Sequence, residues 1–172
     1  ISAKRISDAI NASGRSISVN TVDKYLKALT ESYIFYKADR FDVKGRNLLK
    51  TLSKYYIVDT GLRNFLLSTA SPDLGHQIEN IVYLELLRRN FKVNIGKLDD
   101  KEVDFVASDG NQFVYFQVAT TVLSEETLSR ELQAFRAIPD NFPRILLTLD
   151  DIPAYANYEG VHQTYLLDWL LK

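Results

Sequence analysis

Cysteine and methionine are both absent from this 172-residue chain, and no apolar run approaches the roughly 20 residues that a membrane-spanning helix needs. Without cysteine there is no disulfide framework, thiolate zinc site, iron–sulfur centre or thiol nucleophile. The phosphate-binding pattern G-x-x-x-x-G-K-[ST] is missing too. The one Gly-Lys pair, Gly96-Lys97, is followed by Leu98 and has no glycine five residues before it. His76 and His162 stand far apart and outside any H-E-x-x-H pattern, and no serine occupies a G-x-S-x-G elbow. At 46% hydrophobic residues the chain is too apolar for disorder and long enough to bury a core. Ile1–Asn11 mixes charged and apolar residues at helical spacing and is no signal peptide. The sequence therefore reads as a piece of a longer cytoplasmic protein, with no membrane partner.

The net charge of −1 conceals a polar distribution. Residues 1–70 hold 12 Lys/Arg against 6 Asp/Glu, and residues 71–172 hold 9 against 16. A basic first part and an acidic second part suggest two modules, 1–70 and 71–172, with Ser68–Pro72 as the linker.

In the first module, Ala3, Ile6, Ala9 and Ile10 predict a helix stopped by Asn11-Ala12-Ser13-Gly14. Ser18 is a good N-cap for a second helix over Val19–Ser32, where Val22, Tyr25, Leu26 and Leu29 form one stripe. Tyr33–Ala38 and Lys54–Val58 predict two strands around a basic loop, and Asp59-Thr60-Gly61 opens a short helix through Leu67. Helix, turn, helix and basic hairpin is the order of a winged helix. In that arrangement Asn20, Thr21, Lys24 and Lys27 face the major groove of DNA, and Lys37, Arg40, Lys44 and Arg46 of the wing sit on phosphates. Asp23 on the same helix face opposes tight DNA contact.

In the second module the pattern predicts α-β-β-β-α-β. A helix spans Asp73–Asn90 and strands span Phe91–Ile95, Glu102–Ala107 and Gln112–Ala119. A helix capped by Ser124 follows, then a strand over Arg144–Leu149. One more strand, Val161–Leu166, and a turn of helix close the chain. Glu102 and Asp104 lie two apart and share a face, and Gln117 falls opposite Asp104 across the Asp109-Gly110 turn. A carboxylate aimed at a core or cleft needs a cation or a hydrogen-bonded partner, and two or three such oxygens suit Mg²⁺. The bland alternative for Glu79 and Asp104 is a hydrogen-bond network holding helix to hairpin. Phe113, Tyr115 and Phe116 read as sheet core rather than a base-stacking platform.

Three stretches carry a family resemblance: Gly75–Leu86, Glu102-Val103-Asp104-Phe105-Val106 and Tyr115-Phe116-Gln117-Val118. With Lys54–Leu62 and the Thr21…Leu29 stripe, they resemble the C-terminal region of prokaryotic AAA-type ATPases, the DUF4143 family. The resemblance implies a mixed α+β/α/β chain, an N-terminal winged helix-turn-helix followed by a PD-(D/E)XK nuclease-like αβββαβ core with a mixed sheet. It also implies an upstream domain that takes ATP, absent from these residues, so this part carries no nucleotide cofactor of its own.

By the same resemblance Glu79 and Asp104 stand at metal-binding positions of the nuclease fold. Gln117 stands where its second acid would be and Ala119 where its lysine would be. A glutamine offers one uncharged oxygen and an alanine offers nothing. No lysine nearby in sequence substitutes, because Lys101 lies on the opposite strand face and Lys97 precedes the turn. The leading expectation is a DNA-binding winged helix joined to a degenerate, inactive nuclease-like domain. The alternatives are a Mg²⁺-dependent nuclease and a module that docks a protein partner or its own ATPase domain.

Overall fold

A computed structural model describes residues 2–67, 73–151 and 156–172. The expected linker Ser68–Pro72 lies outside them. The described chain is a mixed α+β structure of six helices and one mixed sheet. Helices α1 (Ala3–Ala12) and α2 (Val19–Glu31) pack on each other and open on serine caps. Ser2 accepts the Arg5 N–H and Ser18 the Thr21 N–H, each at 3.1 Å. Strands β1 (Phe35–Asp42) and β2 (Asn47–Ile57) form an antiparallel hairpin. Both are longer than the sequence pattern indicates, so much of the expected basic loop is strand. Helix α3 (Thr60–Leu67) follows.

Next come α4 (Leu74–Arg88), β3 (Lys92–Leu98), β4 (Lys101–Asp109), β5 (Gln112–Ala119), α5 (Glu125–Arg136) and β6 (Arg144–Thr148). A two-residue strand β7 (Asn157–Tyr158), β8 (Val161–Tyr165) and α6 (Leu166–Leu170) end the chain. The eight strands form one sheet in the order β2-β1-β3-β4-β5-β6-β8-β7. The basic hairpin is therefore not a free wing. Strand β1 lies parallel to β3, with Arg40, Phe41 and Asp42 opposite Ile95, Gly96 and Lys97.

The sheet is covered on both faces. Ile78, Val82, Tyr83 and Leu86 of α4, with Leu166 and Trp169 of α6, pack on Val93, Ile95, Phe105 and Phe116. Leu132 and Phe135 of α5 pack on Val103, Val106, Tyr115 and Leu146. Phe113 lies partly buried against this second core and stacks on Phe41. All three aromatics of β5 thus belong to the sheet's packing.

Two irregularities aim the side chains that matter below. Between Asn94/Val106 and Gly96/Val103 the β4 strand holds one extra residue, a bulge spanning Asp104 and Phe105. Gly96 faces it so closely that a Cβ there would meet Val106 Cγ2 at 2.8 Å and Val103 Cβ at 3.1 Å, which leaves room only for glycine. The β1–β2 register also shifts, from Ala38↔Lys54 to Arg40↔Leu49, and this sets residues 50–53 outside the ladder. No helix among the described residues is long and apolar enough to cross a membrane.

Candidate functional site

The fold brings Asp104 (β4) and Gln117 (β5) together, as their spacing suggests, and Glu79 (α4) beside them, as the resemblance implies. It adds a lysine the sequence reading does not find. Lys54, on β2, places its ammonium 2.9 Å from Glu102, 3.2 Å from Glu79 and 4.0 Å from Asp104. The expectation covers only lysines nearby in sequence, Lys97 and Lys101, and does not consider Lys54. The lysine is distant in sequence and arrives through the hairpin's incorporation into the sheet. Its neighbour on the same strand face, Tyr56, donates its hydroxyl to Glu79 Oε1 at 2.6 Å. Arg40 of β1 closes the other side, holding Glu102 Oε2 at 2.7 Å.

On the β4–β5 side the network continues. Asp104 Oδ2 accepts the Val118 N–H at 2.9 Å, and the Asp104 N–H reaches Gln117 Oε1 at 3.3 Å. Gln117 Nε2 donates to Glu131 of α5 at 2.9 Å, and Arg130 neutralises Glu131 from the solvent side at 2.9 Å. Glu131 is buried and also missed by sequence reasoning, since α5 lies outside the motif. Both polar ends of Gln117 are thus engaged within the chain.

The electrostatics follow from burial. Burial alone would lower the Lys54 ammonium, but Glu79, Asp104 and Glu102 outweigh it and raise its pKa. Burial pushes Glu102 upward, yet Lys54 and Arg40 hold it below the ordinary carboxylate range. Asp104 goes the other way. Burial first, then the nearby Glu79 charge, raise it above that range despite Lys54 and the Val118 N–H. Burial, followed by the Glu79 charge, also raises the Tyr56 phenol, so it remains a donor.

The residues present do not fit the Mg²⁺ that the nuclease resemblance implies. Glu79 Oε1 already receives Tyr56 and Lys54, Asp104 Oδ2 receives a backbone N–H, and Gln117 is bonded at both ends. The Ala119 side chain contributes no ligand atom. Among the described residues no group of three or more His, Asp or Glu is placed to hold a metal ion. Lys54 supplies the positive charge instead.

The wing residues have their own partners. Lys37 pairs with Asp39 at 2.8 Å and Lys44 with Asp99 at 2.5 Å. Arg46 lies 3.5 Å from Asp140 and over the rings of Phe113 and Phe142. On α2, Asn20 and Lys24 are exposed, Thr21 shares its hydroxyl with the Ser18 cap at 2.9 Å, and Lys27 approaches Glu31 at 3.6 Å. His76 is exposed, and its N–H completes the Asp73 cap of α4.

Beside the cluster, between β2, α3 and α4, opens a pocket of about 470 Å³. Lys54, Tyr56 and Glu79 of the cluster line it, together with Arg63 and Leu66 of α3 and His76 of α4.

Residues 1–73 match the family model described as a domain of unknown function, DUF8612. Over its whole length the chain is 37% identical to an uncharacterised protein of Haemophilus influenzae, covering 42% of that protein. It is 33% identical over 145 residues to an uncharacterised protein of Methanocaldococcus jannaschii, which is 81% of this chain and 32% of that relative. The chain thus spans less than half the length of either curated relative.

Proposed function

We propose that this chain is a non-hydrolytic docking region of a longer cytoplasmic AAA-type ATPase, built from a winged helix and a degenerate PD-(D/E)XK nuclease-like domain. One observation carries the reading. Four cations of the basic part, Arg40, Lys44, Arg46 and Lys54, pair with acids of the acidic part: Glu102, Asp99, Asp140 and the Glu79/Glu102/Asp104 cluster. The opposite charges of the two parts are complementary to each other. The hairpin cations that a DNA-binding wing would place on phosphates are spent within the chain. The carboxylates that a nuclease would place on a metal are spent on Lys54.

The exposed pairs in this seam, such as Lys44–Asp99, are worth little by themselves. Arg40 and Lys54, which are mostly buried, carry its strength. A second reading, DNA contact through α2 alone, draws on the exposed Asn20 and Lys24.

The test titrates fluorescent duplex and single-stranded DNA into the chain at low and moderate salt, with and without Mg²⁺. In parallel it measures binding to the separately produced remainder of the parent protein. The docking reading expects a salt-insensitive complex with that remainder, no DNA binding and no cleavage. Steeply salt-dependent DNA binding, lost on neutralising Lys24 and Lys27, would favour the α2 reading. Mg²⁺-dependent cleavage lost in Asp104→Ala would replace both with a nuclease.

A further inference from the structure

We infer that the pocket between β2, α3 and α4 is a binding site for a small organic anion: a carboxylate or phosphate carried on an apolar, preferably aromatic, body. Its volume of about 470 Å³ is that of a small-molecule site. Phe35, Tyr55, Ile57 and Leu66 give it apolar and aromatic walls.

The anion preference comes from Arg63. Most of the chain's arginines either lie exposed or hold a carboxylate. Arg5 and Arg15 are exposed. Arg40, Arg46, Arg88, Arg89, Arg130 and Arg136 each hold a carboxylate. Arg144 is half-buried and donates to the Ile138 and Asp140 carbonyls. Arg63 is half-buried as well, yet its one polar contact among the described residues is the Asn64 amide oxygen at 3.4 Å. A guanidinium partly withdrawn from water, lining a pocket and paired with no carboxylate among the described residues, is set up to take an anion, preferably by two parallel hydrogen bonds.

The other polar groups of the pocket do not cancel that preference. The charge of Glu79 is already answered by Lys54 and Tyr56. Asn80 is occupied at both ends by the Ile57 peptide group. His76 adds a ring able to donate to the same anion. A neutral apolar molecule would fill the volume but leave Arg63 unsatisfied.

The experiment is calorimetric titration of the chain with three probes of one shape: 1-naphthylacetate, 1-naphthyl phosphate and the neutral 2-(1-naphthyl)ethanol. Binding of either anion, with the neutral probe weaker by about tenfold or more, is the expected result. Whichever anion binds better identifies the head group. Arg63→Gln should abolish the difference between anion and neutral probe, whereas Arg15→Gln, at an exposed arginine outside the lining, should preserve it. Thermal melts of both variants confirm folding. Failure of both anions to bind, equal binding of all three probes, or anion binding indifferent to Arg63→Gln would each overturn the inference.

Discussion

Asn80 and Ile57 are joined by a closed pair of hydrogen bonds. The Ile57 N–H donates to Asn80 Oδ1 at 2.9 Å, and Asn80 Nδ2 donates to the Ile57 carbonyl at 2.8 Å. A side-chain amide on α4 thereby acts as a strand partner for the last residue of β2, with both groups buried. It fixes the hairpin against the helix that carries Glu79, one residue away. Asn80→Ala leaves two buried backbone groups unpaired and should destabilise the chain by about 2–4 kcal/mol. Urea unfolding at neutral pH measures this, and a loss below about 1 kcal/mol would mean the pair is dispensable.

Lys54 is the second test point. Lys54→Met keeps most of the side chain's packing but leaves Glu79, Glu102 and Asp104 without their shared cation. Because the group is mostly buried, a loss of about 3 kcal/mol is expected at neutral pH. The loss should shrink in mild acid, where Asp104, raised by burial and the nearby Glu79 charge, takes up its proton. Equal destabilisation at both pH values would show that the packing of the lysine stem, not its charge, matters.

Asp104 makes a pH signature of opposite sign to the usual carboxylate. Its folded pKa is raised above the value of 3.8 it has in an open chain, so the folded state holds its proton longer. Its contribution is favourable below the open-chain value and declines as pH rises towards the raised folded value. Asp104→Asn should remove that decline, making the variant's stability flatter than the parent's between about pH 4 and neutrality. Denaturant midpoints across this range decide it.

Glu85 behaves in the ordinary direction and serves as the internal contrast. Arg88 first, then Arg89, hold its carboxyl at about 2 against burial's upward push. Its contribution is present above about 4.5 and is lost as pH falls through the folded value. Glu85→Gln should therefore weaken the fold at neutral pH and make little difference near pH 2, as followed by melting temperature.

Gln117→Glu tests the charge balance of the centre. The new carboxylate would face Glu131, with which the glutamine amide now bonds at 2.9 Å, and would crowd Asp104. A loss of about 1–3 kcal/mol is expected, partly recovered on adding Mg²⁺ if the extra charge recreates a cation site. Recovery would appear as a rise in melting temperature in the variant and none in the parent.

Much of the second module is legible because its elements are long and periodic. Strand β5 falls on Gln112–Ala119 as its pattern indicates, and Asp104 meets Gln117 because a tight turn at Asp109-Gly110 fixes the register. Lys54 and Glu131 are not legible as site residues, because each reaches the cluster from another part of the chain. The alternation does place Lys54 and Tyr56 on one strand face, but a lysine there is ordinary on a solvated face, and only the fold shows that this one is mostly buried among acids. The one-residue bulge at Asp104 and the longer excursion at residues 50–53 left no periodic trace, since surplus strand residues look like any others. The charge difference between the two halves was visible, but that the halves neutralise each other required knowing that β1 lies beside β3.

That β1–β3 pairing has a consequence for dissection of the protein. Strand β1 acquires its hairpin partner from the next few residues, but its other edge stays bare until the chain has been made as far as Lys97. A truncation at residue 73, where the DUF8612 match ends, would expose that edge permanently and strip Arg40, Lys44, Arg46 and Lys54 of their carboxylates. Such a fragment would be sticky by strand edge and by charge alike. Any affinity it showed for DNA or other polyanions would measure the cut, not the protein.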